Sequence, residues 1–246
     1  MEQKVSIIIP IFNEEQILSR YPDLLYPVLD ELKSRYPYEF ELILVNDGSS
    51  DRSMETMKEI GKLRPGVIIT ENEKNMGMGA AMKKGLSVSS GDLVVFLDAD
   101  LTFRPEDIGR LLDAYQENPA DCISGSPYLD RNSTRDVDPV RKLLSKTVNI
   151  LYSIDLGKKM TSVSPIFRLY RKRVFTEIPI KSNNFEINAE ILSKMIFADM
   201  TVREIPITLY SREHGISKSR LSRTIMQHVK ILGKIFKVRY LGRPWE

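Results

Sequence analysis

Two aspartates one residue apart, Asp98 and Asp100, close a short apolar run in GDLVVFLDADLTFRP, residues 91–105. Carboxylate oxygens are hard ligands. Mg²⁺ or Mn²⁺ is commonly held by one or two of them, with water and substrate phosphate completing the shell. In an open α/β sheet ligands collect beyond the carboxyl ends of the strands, where the run 93–97 would deliver this pair. The same residues also fit a turn ahead of a helix opened by Pro105 and Glu106, and the pair alone does not choose. Farther on, Arg212 and Lys218 stand six apart in REHGISK with Gly215 between them. Two cations on a polar segment suit a phosphate, or simply solvent.

The elements that must position these groups follow from hydrophobic patterning. Apolar, β-branched runs predict strands over 4–10, 40–46, 67–70, 93–97, 121–125, 166–170 and 201–209. Between them, Asn13 is placed to cap a helix running towards residue 35, which Pro22 and Pro27 must interrupt or kink. Gly48 permits a tight turn, and Ser50 or Asp51 can cap a helix to about residue 63. Further helices are expected over 105–117, 138–156 and 186–198, and residues 128–138 read as a mobile loop. Strands alternating with helices imply a largely parallel sheet covered on both faces. The small residues of NMGMGAAM allow close packing of helix on sheet. They miss the dinucleotide fingerprint, because Met82 stands where a third glycine or alanine belongs.

The chain has 246 residues, 42% hydrophobic and 28% charged, enough for one sizeable core. Its single cysteine, Cys122, excludes an intrachain disulfide framework and a cysteine zinc cage, and fits a small core residue. No run approaches the roughly 18 apolar residues needed to cross a bilayer, and MEQKVSIIIPIFNEE is too short and too acidic for a secretory signal. A cytoplasmic setting is the expectation. The net charge of +3 is unevenly spread: residues 201–246 hold ten Lys/Arg against three Asp/Glu, a basic end suited to phosphates or an anionic membrane. Within it, Leu221, Ile225, Val229, Leu232 and Phe236 fall on one helical face, with Arg223, Lys230, Lys234 and Lys237 elsewhere on the wheel. Such a helix docks on its own core, on a partner, or on a membrane surface. The chain thus divides into a catalytic-type domain over 1–219 and a basic amphipathic helix and tail over 220–246.

Taken together, IIIPIFNE, LVNDGSSD, NMGMGAAMKKGL, VVFLDADL, FRLYRK and REHGISK occur in an order that resembles the inverting nucleotide-sugar glycosyltransferases of GT-A fold. Within them the chain looks most like the dolichyl- and polyprenyl-phosphate mannose or glucose synthases. The resemblance runs from about Val5 to Lys218. It implies an α/β fold of GT-A (Rossmann-like) type, a mostly parallel sheet with helices on both faces, plus the C-terminal amphipathic helix. It also implies metal-dependent transfer of a hexose, mannose in preference to glucose, from GDP-mannose or a UDP-sugar to a polyprenyl or dolichyl phosphate. By the same resemblance Pro10, Phe12 and Glu14 would line the nucleoside pocket, and Val45 and Asp47 would reach the base or ribose. Asp98, Ala99 and Asp100 would hold Mg²⁺ or Mn²⁺ and the diphosphate, and Arg212 and Lys218 would close on the phosphates. The expected partners are the nucleotide sugar, the lipid phosphate, and a membrane surface or membrane protein met by the terminal helix, with no nucleic acid.

Four positions depart from that pattern. Phe12 replaces a tyrosine, Pro127 an arginine that would meet phosphate, Ser162 an aspartate, and Pro165 a glycine. A sugar hydroxyl acceptor needs a general base, whereas a lipid phosphate is already ionised and needs none. Arg131, Arg168 or Arg171 are candidates to replace the missing phosphate contact, and Glu186 or Glu190 to replace a missing base. A glycan or soluble hydroxyl acceptor therefore stays open, as does a nucleotide-sugar-binding protein without turnover.

Overall fold

The first strand is apolar along its length because both of its faces are covered. β1 (Gln3–Ile11) sends Ile7 and Ile9 into one core and Ile8 into another, as the two-residue period of a strand requires. In the computed structural model, which describes residues 3–134, 139–211 and 221–245, this strand lies near the middle of a seven-stranded sheet. The others are β2 (Tyr38–Asn46), β3 (Ile68–Glu71), β4 (Leu93–Phe96), β5 (Cys122–Ser126), β6 (Arg168–Arg171) and β7 (Val202–Pro206), in the order β3-β2-β1-β4-β6-β5-β7. Every pairing is parallel except those of β6, which runs antiparallel to both β4 and β5. Phe96 and Ser124 each face Arg168 in register. The segment entering β6 therefore lies at the carboxyl ends of β4 and β5.

Helices cover both faces. α1 (Glu15–Leu18), α2 (Tyr21–Leu24), α3 (Tyr26–Arg35) and α4 (Ser53–Leu63) contribute to the core around Ile7 and Ile9. α5 (Met78–Val88) lies on the other face, whereas α6 (Asp107–Glu117) places Leu111 and Leu112 in the first core. α7 (Pro139–Leu156), α8 (Arg173–Glu177), α9 (Ile187–Phe197) and α10 (Leu221–Leu241) complete the second layer.

Three expectations change. The helix expected over 13–35 is three helices, with Pro22 and Pro27 at the starts of α2 and α3, and Asn13 does not cap it. Asn13 adopts a left-handed conformation, and its Oδ1 accepts from Ser50 N at 2.7 Å instead. The stretch expected to be a mobile loop contains a short 3-10 turn, Arg131–Thr134, with Ser133 and Thr134 buried and Leu209 N bonded to Ser133 O; residues 135–138 lie outside the described residues. The terminal helix packs on its own core by a face turned from the one expected. His228, Ile231 and Ile235 are buried, while Ile225, Val229 and Phe236 are exposed. His228 decides this by bonding Tyr152 OH of α7 through Nδ1 and Ser164 Oγ through Nε2. Arg239 donates to the carbonyls of Ile154 and Asp155 at the end of α7, where a cation favours the helix dipole.

Candidate active site

The loops after β1 and β2 are laced together before any ligand arrives. Asn13 N donates to Ser49 Oγ at 2.9 Å, Glu14 N to Ser53 Oγ at 2.8 Å, and Arg52 N to Glu15 Oε2 at 2.9 Å. Asp47, buried at the end of β2, accepts from Asn72 Nδ2, Met76 N and Gly77 N at 2.8, 3.1 and 2.8 Å. Its carboxylate therefore anchors the loop that leads into α5. Only glycine serves at two positions of this frame. Gly48 has φ +63° and Gly77 φ +98°, and a Cβ would fall 2.3 Å from Lys74 C or 2.4 Å from Asn183 O. Pro10, Phe12 and Glu14 are half-buried along the same rim, whereas Val45 is fully buried beneath it. Val45 thus supports the turn from inside the core and offers a ligand no side-chain surface.

Beyond β4 the chain turns sharply. Leu97 N still bonds Ile8 O, Ala99 is buried, and Leu101 sits at φ +52° with its N donating to Asp98 O at 3.2 Å. Asp100 Oδ1 accepts from Thr102 N and Oγ1 at 3.0 and 2.8 Å. Neither aspartate caps the following helix, since α6 begins after Glu106 without a side-chain cap. Beneath the turn, Tyr21 is fully buried and its OH donates to Ala99 O at 2.9 Å. Burial raises its phenol well above the ordinary range, and the charges of Asp100, Glu14 and Asp98 add to the rise. These three carboxylates, from two loops, therefore converge on one buried hydroxyl. Among the described residues no group of three or more acid, His or Cys side chains forms a metal cage. A pair of half-buried aspartates instead fits Mg²⁺ or Mn²⁺ sharing its shell with phosphate and water.

Asp100 borders a cavity of about 400 Å³ lined also by Arg104, Tyr210 and Ser211. The Arg104 guanidinium lies 3.9 Å over the Tyr210 ring, and Tyr210 N bonds Thr102 O. Arg212 and Lys218 lie outside the described residues, but Ser211, the residue before them, stands at this cavity. Arg104 and Tyr210 had no signal in the sequence beyond being one cation and one aromatic among many.

A second opening, about 670 Å³, lies between α7 and the turn after it, lined by Tyr128, Ile150, Ile154, Met160 and Thr161 with Lys146, Lys158 and Lys159. Of the arginines considered as phosphate contacts here, Arg168 is excluded. It is fully buried and donates to Ser124 Oγ, Tyr170 OH, Asn188 O, Ser162 O and Val163 O. Arg171 pairs with Leu93 at the start of β4, the opposite end of the sheet; the side chain of Arg131 lies outside the described residues. Glu190 is likewise excluded as a base. Burial opposes its ionisation, but Lys194 and the amides of Ser182 and Lys181 outweigh it and hold its pKa below the usual range. Glu186 differs: its Oε2 is buried with no hydrogen-bond partner. Pro127 is buried, and so is Ser162, whose Oγ also has none.

Residues 6–178 match the family model described as Glycosyl transferase family 2. A dodecaprenyl-phosphate galacturonate synthase of Rhizobium johnstonii is 28% identical over 98% of this chain and 69% of its own length. An undecaprenyl-phosphate 4-deoxy-4-formamido-L-arabinose transferase of Edwardsiella ictaluri is 34% identical over 91% of the chain and 65% of its own length. A dolichol-phosphate mannosyltransferase of Pyrococcus furiosus is 31% identical over 95% and 64%. The chain thus spans about two thirds of the length of these curated relatives. Among solved structures, a glucosyl-3-phosphoglycerate synthase from Mycobacterium tuberculosis in complex with Mg²⁺ and UDP superposes with TM-score 0.69. It is 16% identical, over 98% of this chain and 80% of that one. At that identity the likeness shows the fold.

Proposed function

The chain belongs to glycosyl transferase family 2, and from that premise we propose that it transfers a hexose, with inversion, from a nucleotide diphosphate sugar to a polyprenyl or dolichyl phosphate. The observation that carries the reading is the turn of Asp98 and Asp100 at the carboxyl end of β4, held from beneath by the buried Tyr21 OH bonded to Ala99 O. Asp98 and Asp100 would hold Mg²⁺ or Mn²⁺, which neutralises charge on the departing nucleoside diphosphate. The braced loops of Pro10, Phe12, Glu14 and Asp47 receive the nucleoside, and their fixed geometry spares the cost of ordering them on binding. Arg212 and Lys218, which lie outside the described residues, would supply two cations for the phosphates.

The acceptor reading draws on the relatives, whose names specify dodecaprenyl, undecaprenyl and dolichol phosphates, and on the lysine-rimmed apolar opening beside α7. A phosphate monoester attacks as an anion, so the absence of aspartate at 162 costs no base. Mannose is the favoured hexose and glucose the next. α7 and α10 carry the protein to the membrane as a peripheral protein on the cytoplasmic face. A second reading, a hydroxyl acceptor, is favoured by one observation: the partnerless Glu186 oxygen offers a general base. Incubating the protein and Mn²⁺ with radiolabelled GDP-mannose or UDP-glucose, undecaprenyl phosphate and a set of hydroxyl-bearing glycan acceptors, then extracting lipid, tests both. Label in the organic phase, lost in Asp98→Ala and Asp100→Ala, is expected. Label confined to water-soluble product, and lost in Glu186→Gln, supports the second reading and removes the first.

A further inference from the structure

Residues 160–163 belong to no helix or strand, yet seven of their eight backbone polar groups have a side-chain partner of their own. Met160 N donates to Ser153 Oγ at 3.0 Å, while the one Ser153 hydroxyl proton is shared between Met160 O at 3.0 Å and Asn149 O at 2.7 Å. Thr161 N and Ser162 N donate to the two oxygens of Glu204, at 2.8 and 2.9 Å. Asn149 accepts from Val163 N at 3.2 Å and donates to Thr161 O at 2.5 Å. Arg168 Nη2 donates to Val163 O at 2.9 Å and Ser162 O at 3.4 Å. Asn149 and Ser153 are four apart on α7, one helical face, while Arg168 and Glu204 flank Ser124 from β6 and β7. Irregular buried backbone ordinarily finds its partners among other backbone groups and water. Here four side chains from three elements supply nearly all of them. The two charged ones act in opposite senses, Glu204 on N–H groups and Arg168 on C=O groups. Among the described residues Arg168 has no ion pair, and this segment's carbonyls take part of its donor capacity.

Met160 and Thr161 line the lysine-rimmed opening, together with Asn149 and Ser153. We propose that Glu204 is a positioning residue, which with Arg168 and Asn149 pre-builds segment 160–163 as the acceptor wall of the site. The proposal rests on the acceptor reading above. Holding the wall rigid lowers the ordering cost of acceptor binding and leaves the donor loops, on β1, β2 and β4, untouched.

Glu204→Gln keeps the size of the side chain, removes its charge, and turns an NH₂ towards one of the two amides. By hydrogen exchange, the amides of Thr161 and Ser162 are expected to be protected in the wild type and to exchange about 100-fold faster in the variant. The KM for undecaprenyl phosphate is expected to rise about 10-fold, with the affinity for nucleotide sugar and Mn²⁺ within about 2-fold and Glu204→Asp partly restored. Amides that exchange freely in the wild type overturn the clamp. A variant that lowers only the active fraction and leaves the acceptor KM in place reduces Glu204 to a structural residue and overturns the positioning role. A wild type that leaves undecaprenyl phosphate unglycosylated counts against the acceptor reading alone. The KM comparison then moves to the acceptor the protein does use, and the exchange measurement still decides the clamp.

Discussion

Tyr21 is the residue through which the carboxylates of the site are felt. Its hydroxyl reaches Ala99 O, the backbone atom between Asp98 and Asp100, so it supports the turn that presents both. Tyr21→Phe strips that carbonyl of its buried donor, at a cost of about 1–3 kcal/mol, read as a lowered urea midpoint with an unchanged slope. The same variant should weaken Mn²⁺-dependent donor binding, seen as a smaller Mn²⁺-induced rise in Tm with the nucleotide sugar. Ser162 makes the opposite case, because its Oγ is buried and partnerless. A stranded hydroxyl is a liability, so Ser162→Ala should hold or raise Tm and leave the acceptor KM unchanged. A fall in turnover with an intact Tm would instead identify the hydroxyl as one that substrate uses.

Among elements, a heavily bonded acid lies at the end of the sheet remote from the site. Glu41 of β2 accepts from Ser6 Oγ on β1 at 2.5 Å and from Ser90 N and Oγ ahead of β4, each at 2.6 Å, with Lys4 Nζ at 2.8 Å. Burial works against its ionisation, but Lys4, Ser6 and Ser90 outweigh it and lower the pKa from 4.5 to about 2. A depressed folded-state pKa stabilises the protein above the unfolded value, and that contribution is lost as pH falls through the folded one. The group therefore contributes about 3 kcal/mol near neutrality, shed between roughly pH 4.5 and 2. Glu41→Gln should be less stable at pH 7 and should show a flatter acid limb in pH-dependent denaturation. Strand identity was legible at this scale because a buried strand needs an apolar run wherever it sits. The fate of Asn13 was not, since its partner Ser50 belongs to another loop brought close only by the pairing of β1 with β2.

At the scale of the molecule, α7 and α10 leave a wide apolar face uncovered. Leu143, Ile150 and Ile154 of α7 and Val229, Phe236 and Tyr240 of α10 are all exposed. Residues 139–159 and 221–245 together hold eleven Lys/Arg and a single acid, Asp155. Among the described residues no helix is long and apolar enough to cross a membrane, so the membrane contact proposed for these helices would be a surface one. Each lysine near an anionic surface is worth about 1 kcal/mol. The protein should therefore co-sediment with phosphatidylglycerol vesicles and far less with phosphatidylcholine, and Lys230→Glu with Lys237→Glu should reduce binding at least about 10-fold. The sequence by itself determined what is local or periodic: seven strands near their true places, the paired aspartates at the end of the fourth, and a basic amphipathic helix at the end. Only the tertiary structure decided which groups are spent. It buried Arg168 and committed Glu190, turned α10 so that His228 faces inward, and joined Asn149, Arg168 and Glu204 around residues 160–163. Those outcomes depend on partners from 2 to 76 residues apart in the chain, and the long-range hydrogen bonds among them leave no period or spacing in the sequence to read.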